Sequence, residues 1–263
     1  FGGQPGNWAY SESPLVDGDV VICAPGGGSA TVVAFNKKTG DVIWKTALPS
    51  ADQAAYASPI VVEINGVKQY VEFLQKGLVG LDAKTGKVLW RYEKTAQGSP
   101  ANIATPVADK DFIYSATRGG GGLAKISAKD GAVQAEQVYF SPKVPTSIVG
   151  SVKVGDFLYG TTGKGLMCAQ FATGDTKWQE TSLGSGSVCW ADGKLYFHGE
   201  NGDVALVEAT PDGYREKGRF SPPEKPAYAN QMQKSWSYPV IADGRLYIRD
   251  REALWCYDIK AGK

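Results

Sequence analysis

Short apolar runs broken by glycines and polar pairs recur along the chain, with no helical periodicity between them. Ser13-Pro14-Leu15-Val16-Asp17-Gly18-Asp19-Val20-Val21 reads as a strand, a turn and a second strand, and Pro239-Val240-Ile241-Ala242-Asp243-Gly244-Arg245-Leu246-Tyr247 repeats that reading. Residues 105–114, 152–159 and 188–196 carry further copies. A second glycine turn then leads to a third strand, at Gly26-Gly27-Gly28, Gly77, Gly119 to Gly122, Gly163-Lys164-Gly165 and Asn201-Gly202. The elements predicted are therefore strands alone.

A longer signature keeps the same beat. Ala34-Phe35-Asn36-Lys37-Lys38-Thr39-Gly40-Asp41-Val42-Ile43-Trp44 returns as Gly80-Leu81-Asp82-Ala83-Lys84-Thr85-Gly86-Lys87-Val88-Leu89-Trp90, and more loosely as Cys168 to Trp178 around Thr173-Gly174. Weaker copies carry only the turn glycine, at Gly131, Gly213 and Gly262, and Ala135 and Lys217 stand where Trp would be in the third and fifth. The turn glycines at 40, 86, 131, 174, 213 and 262 are about 44 residues apart on average. Four short antiparallel strands per repeat make one blade of a β-propeller, which must stack on neighbours to bury its faces. Glycine accepts the positive φ of the turn, the preceding Asp or Asn bonds the turn backbone, and the Trp on the last strand covers the junction with the next blade. Gly40, Trp44, Gly86, Trp90, Gly174 and Trp178 are accordingly expected to be structural blade-docking residues.

The motif Ala-x-Asp-x-x-Thr-Gly-x-x-x-Trp resembles the tryptophan-docking repeat of PQQ-like (quinoprotein-type) β-propellers, BamB-like members among them. Ala34, Thr39, Gly40 and Trp44 match it with Asn36 for Asp, Asp82, Thr85, Gly86 and Trp90 match it with Gly80 for Ala, and Thr173, Gly174 and Trp178 match it with Cys168 and Gln170 substituted. The resemblance covers the chain and implies one all-β domain, residues 1–263, with six repeats visible. The last repeat has three strands before the chain ends at Lys263. Since such propellers have seven or eight blades, the expectation is the C-terminal part of a longer propeller lacking one or two N-terminal blades. A periplasmic or secreted location is implied in the same way.

Composition narrows the function. Lys and Arg number 28 against 27 Asp and Glu, too balanced for the basic footprint of a nucleic-acid partner. No apolar run approaches the ~20 residues of a membrane span. The single histidine, His198, excludes multi-histidine metal sites and reads as an ordinary strand-end residue. Cys23, Cys168, Cys189 and Cys256 form no CxxC and read as small buried residues, with one bridge left open. The glycine runs lack a following Gly-Lys-Ser/Thr and open no helix, so they are hairpin turns and not phosphate cradles. Glu200, Asn201 and Asp203 lack the spacing of a calcium loop. No catalytic or metal-ligating residue is assigned.

The candidate partner face lies just before each first strand, where the innermost strand of a blade starts at a channel mouth. It comprises Trp8, Tyr10, Glu12, Tyr56, Asn102, Trp236 and Tyr238, with lesser contributions from the segments 146–148 and 185–187. The long connections 91–104 and 219–236 precede two of these positions, and long loops on rigid scaffolds carry binding. The expected function is a non-catalytic binding or scaffold propeller presenting these loops to a protein or an extracellular or periplasmic polymer, without a cofactor. The alternative that the resemblance implies is a quinone-dependent alcohol or polyol dehydrogenase using PQQ with Ca²⁺. Against it stand the missing Cys-Cys pair and the shortage of acidic and amide side chains at the loop positions, where only Glu12 and Asn102 qualify.

Overall fold

The computed structural model describes every residue except 50–51, 97–100, 130, 147, 225–233 and 261–263. The chain divides into two compact units, Phe1–Pro142 and Lys143–Lys263. In the first, three antiparallel sheets follow one another: Leu15–Asp17 (β1), Val20–Cys23 (β2), Val32–Asn36 (β3) and Val42–Thr46 (β4); Ile60–Ile64 (β5), Val67–Leu74 (β6), Gly77–Asp82 (β7) and Val88–Tyr92 (β8); Val107–Asp109 (β9), Phe112–Thr117 (β10), Gly120–Lys129 (β11) and Ala132–Ser141 (β12). In the second lie Val152–Val154 (β13), Phe157–Thr161 (β14), Leu166–Gln170 (β15) and Thr176–Glu180 (β16); Gly186–Ala191 (β17), Lys194–Gly199 (β18), Val204–Glu208 (β19) and Glu216–Phe220 (β20); and a three-stranded sheet, Val240–Ala242 (β21), Arg245–Asp250 (β22) and Ala253–Asp258 (β23). Each sheet is a meander of sequential neighbours, as the blades of a propeller are.

The repeat signature explains how each blade closes. Asn36 Oδ1 accepts the N–H groups of Lys38 and Thr39 at 2.9 and 3.2 Å, and Gly40, at φ 76°, donates back to the Asn36 carbonyl at 2.9 Å. Asp82 does the same for Lys84, Thr85 and Gly86. In these two sheets the side-chain-closed turn adjoins a bulge that recurs between the third and fourth strands of all five four-stranded sheets, whether or not they carry the turn. The bulge falls where Ala34, Gly80 and Cys168 pair with Trp44, Trp90 and Trp178, so the tryptophan is re-aimed as the ladder shifts register.

The indoles then reach different partners. Trp44 Nε1 donates to the Ala83 carbonyl in the next sheet's turn at 3.1 Å, and Trp178 Nε1 donates to the Thr210 carbonyl at 2.8 Å. Gly86 is needed twice, for its φ of 71° and because a Cβ there would lie 2.5 Å from the Trp44 ring. Trp90 instead donates to Gln69 Oε1 of its own sheet at 2.7 Å. The third sheet has no Thr-Gly turn, and its ten-residue strands β11 and β12 close through the Lys129–Ala132 pair. Trp90 lies flat on its own sheet, and a Cβ on Gly80 would come within 2.1 Å of the ring, which explains the glycine where the motif has Ala.

Apolar cores fill the spaces between successive sheets of each unit. Ile22, Val32, Trp44, Tyr70, Leu74 and Leu81 join the first two sheets. Val71, Phe73, Trp90, Ile113 and Ile126 join the second and third, and Tyr159, Cys168, Val188, Leu195 and Phe197 join the first two of the second unit. Each fully buried aliphatic or aromatic side chain contributes about 1.5–3 kcal/mol. The four cysteines are free, but only Cys168 is fully buried. Cys256 is exposed at the unpaired edge strand β23, so the expectation of four buried residues is corrected there.

Candidate functional site

Five of the candidate positions lie in the unit Phe1–Pro142. The Trp8 ring is 61% exposed and meets Tyr56 edge-on, with centroids 5.4 Å apart. Tyr10 OH donates to the Pro25 carbonyl at 3.0 Å, which ties the segment before β1 to the end of β2. The backbone N–H groups of Tyr56 and Ala57 both donate to the Asn102 carbonyl, at 2.9 and 3.1 Å. Asn102 is fully buried, and its amide donates to the Leu74 and Gln75 carbonyls at 2.6 and 3.1 Å while its Oδ1 has no partner. Trp8, Tyr56 and Asn102 thus form one chain of contacts that ends at the tip of β6.

Glu12, four residues after Trp8, reaches the segment after β2. Its Oε1 accepts the Ala24 N–H at 2.7 Å, yet burial outweighs that bond and raises its pKa. On β6 stands Glu72, a residue absent from the sequence-based candidates, 1% exposed and with Oε1 unpartnered. Burial holds its pKa well above the usual carboxylate range, and the Glu12 charge raises it further. Burial, with the Glu12 and Glu72 charges behind it, also pushes the Cys23 thiol up to about 11, so the thiol is no nucleophile. The one available signal for Glu72 was a charge inside the apolar run Tyr70-Val71-Glu72-Phe73-Leu74.

In the unit Lys143–Lys263, Trp236 and Tyr238 are 42% and 43% exposed at ring positions whose polar ends are occupied. Trp236 Nε1 donates to Glu200 Oε1 at 3.2 Å, Glu200 Oε2 meets the Lys234 ammonium, and Tyr238 OH accepts the Gly150 N–H. Beneath this segment His198 is fully buried. Its Nδ1 lies 3.0 Å from the Ser237 carbonyl, which can only accept, so Nδ1 carries the proton and Nε2 faces the Ser235 hydroxyl at 3.1 Å. Burial keeps the imidazole below its usual pKa, against the Ser237 carbonyl and the Asp250 charge. With Ser235 itself 2% exposed, the pair fastens the segment and offers no nucleophile to a substrate. Ser147, the turn glycine Gly262 and the parts 97–100 and 225–233 of the long connections lie outside the described residues.

The family model of the outer membrane protein assembly factor BamB matches residues 5–213. The chain belongs to that family. Among solved structures it is similar to BamB from Moraxella catarrhalis, at 16% identity and a TM-score of 0.67, with 94% of this chain and 72% of the other covered. A computationally designed protein, Ika8, matches at 9% identity and a TM-score of 0.66, over 97% of this chain and 72% of that one. A europium-containing methanol dehydrogenase matches at 14% identity and a TM-score of 0.60, over 89% of this chain and 60% of that one. At these identities the likeness is one of fold. No curated protein matches the sequence.

The quinone and cation of the enzymatic relatives need several oxygen donors converging on one point. Among the described residues no group of three His, Cys, Asp or Glu is arranged to hold a metal ion. Asn102 spends its amide on backbone carbonyls, and Glu12 and Glu72 are two. The donor set does not fit. No helix among the described residues is long and apolar enough to cross a membrane.

Proposed function

We propose that residues 1–263 form one propeller domain acting as a non-catalytic binding or scaffold module outside the cytoplasm, with a protein or polymer partner meeting the loop aromatics. The observation that carries this reading is Trp8, 61% exposed yet held by Tyr56 and, through Tyr56, by Asn102. Rigid, half-wet aromatics on loops are the anchors that interfaces favour, since little side-chain entropy is lost when they are covered. Trp236 and Tyr238 supply a second set, pinned by Glu200 and Gly150. The near-neutral charge supports a protein or polymer partner over nucleic acid, and membership of the BamB family supports an extracytoplasmic location.

Photo-crosslinking tests this. With a benzophenone amino acid in place of Trp8 or Trp236, discrete adducts with a partner are expected, and a probe at Ile43, on a blade's outer strand, should give none. The quinone-dependent dehydrogenase remains the rival to beat. Addition of PQQ and Ca²⁺ that produced dye-linked alcohol oxidation would overturn the binding-module reading.

A further inference from the structure

Glu72 sits on the face of β6 that carries Tyr70 and Leu74, both members of the core between the first two sheets. Ala24, whose N–H holds Glu12, belongs to the same core. The two carboxyls therefore lie toward the same core, close enough for the Glu12 charge to act on Glu72. Two other carboxylates packed in this unit have cations: Asp17 meets Lys68 and the Tyr70 hydroxyl, and Asp52 meets Arg91. No ion pair reaches Glu12 or Glu72 among the described residues, and Glu72 Oε1 is left with no hydrogen bond at all. A buried ionised carboxyl without a partner costs several kcal/mol.

The unit Lys143–Lys263 shows how this chain answers such a group elsewhere. There Glu200 stands beside an exposed tryptophan and is met by the Lys234 ammonium and the Trp236 indole. The unit Phe1–Pro142 has the tryptophan and the carboxyls but not the lysine.

We propose that Glu12 and Glu72 form a receptor for a primary alkylammonium, the end of a lysine side chain offered by a partner protein, with its methylene stem against the Trp8–Tyr56 pair. This rests on the binding-module reading and names the chemistry of its partner. A compact ammonium suits a single orphaned oxygen beside a second carboxylate, whereas a guanidinium needs a planar bidentate acceptor. The stem covers aromatic surface, and the cation gains from the ring faces on its way in. Empty, burial favours the protonated form of Glu72; as the ammonium binds, the Glu72 proton leaves to solvent, so the charge of the pair is balanced. The groups facing Glu72 are Glu12 and Cys23 from the first sheet, with Asp17, Lys68 and Tyr70 paired among themselves at the other end of β6.

Calorimetric titration of the whole chain with n-butylammonium chloride, repeated in buffers of different ionisation enthalpy, reads both binding and proton release. Saturable binding with release of a proton is expected, weakened about tenfold or more in Glu72→Gln and in Glu12→Gln, the scale of one lost charge-assisted bond. Tetramethylammonium, which has no N–H, should not substitute. The circular dichroism spectrum of each variant must match that of the folded parent, and Glu12→Gln, on a half-buried loop residue, serves if Glu72→Gln does not fold. Absence of saturation, equal affinity in a folded variant, or binding of Ca²⁺ in place of the amine overturns the proposal. Crosslinks from the Trp8 position that persist alongside a failed amine titration would remove this inference and leave the binding module standing.

Discussion

The loops of the two units are built from the same ingredients and finished differently. In Lys143–Lys263 an exposed tryptophan lies beside a glutamate whose oxygens are taken by Lys234 and by the indole itself, and the histidine below is satisfied on both ring nitrogens. In Phe1–Pro142 the exposed tryptophan is held by Tyr56, and the same unit keeps a buried glutamate and a buried asparagine, each with an oxygen that has no partner among the described residues. A surface that has met its own electrostatic demands is fastened; one that has not is waiting for a partner. The difference separates a structural loop from a recognising one more sharply than aromatic content, which is similar in both.

The largest effect that sharpens this comparison lies in the packing beneath the loops. Trp90 is 3% exposed and wedged on Gly80, whereas Trp178 is half-buried between Tyr159 and Tyr214. Trp90→Ala should cost about 3–5 kcal/mol and Trp178→Ala about 1–3 in denaturant unfolding. Equal losses would show that the two units do not differ in how the indole is held.

A middle-sized effect concerns pH in the second unit. Burial depresses the folded-state pKa of His198 below 6.5, so its contribution is present above that pH and is lost as pH falls through the folded value. Thermal melts between neutral and mildly acid pH check this against His198→Asn, whose profile should be flatter there. If the parent and the variant lose stability alike, the imidazole is not held neutral.

The smallest effect is the pair that serves as the template. Lys234 and Glu200 keep part of their side chains in water, so Lys234→Met should cost less than about 1 kcal/mol and leave the fold intact. A larger loss would mean that the pair holds the segment 234–238 by itself, without the contact between His198 and Ser237.

The fold was legible because its information is periodic. Each Asn or Asp before a Thr-Gly, and each Trp after it, marks a local turn whose geometry the residues themselves impose, so Asn36, Asp82, Gly40 and Gly86 could be read in isolation. The three-stranded last sheet followed from counting. What the repeat could not carry was its own exception: Trp90 turns back to Gln69 because the third sheet lacks the Thr-Gly turn, and that requires two sheets in place. The site was half legible. Trp8, Tyr56 and Asn102 were chosen by position, and the structure joins Trp8 to Tyr56 and Tyr56 to Asn102; Glu72 was not among them because a lone charge in an apolar strand shows its meaning only when its surroundings are seen. Cys256 was misread because burial at an edge strand depends on what pairs with it.

The central claim, that Glu72 is a buried carboxyl with an oxygen left unpartnered among the described residues, is tested most directly by stability against pH for the parent and Glu72→Gln. The folded pKa lies well above 4.5, so the carboxyl's contribution is complete below about pH 4.5 and is lost as pH rises through the folded value. Parent stability minus variant stability should therefore fall steadily as pH rises from about 4.5 to neutrality, and added n-butylammonium should restore the parent alone. Parallel profiles for the two proteins across that range would contradict the account.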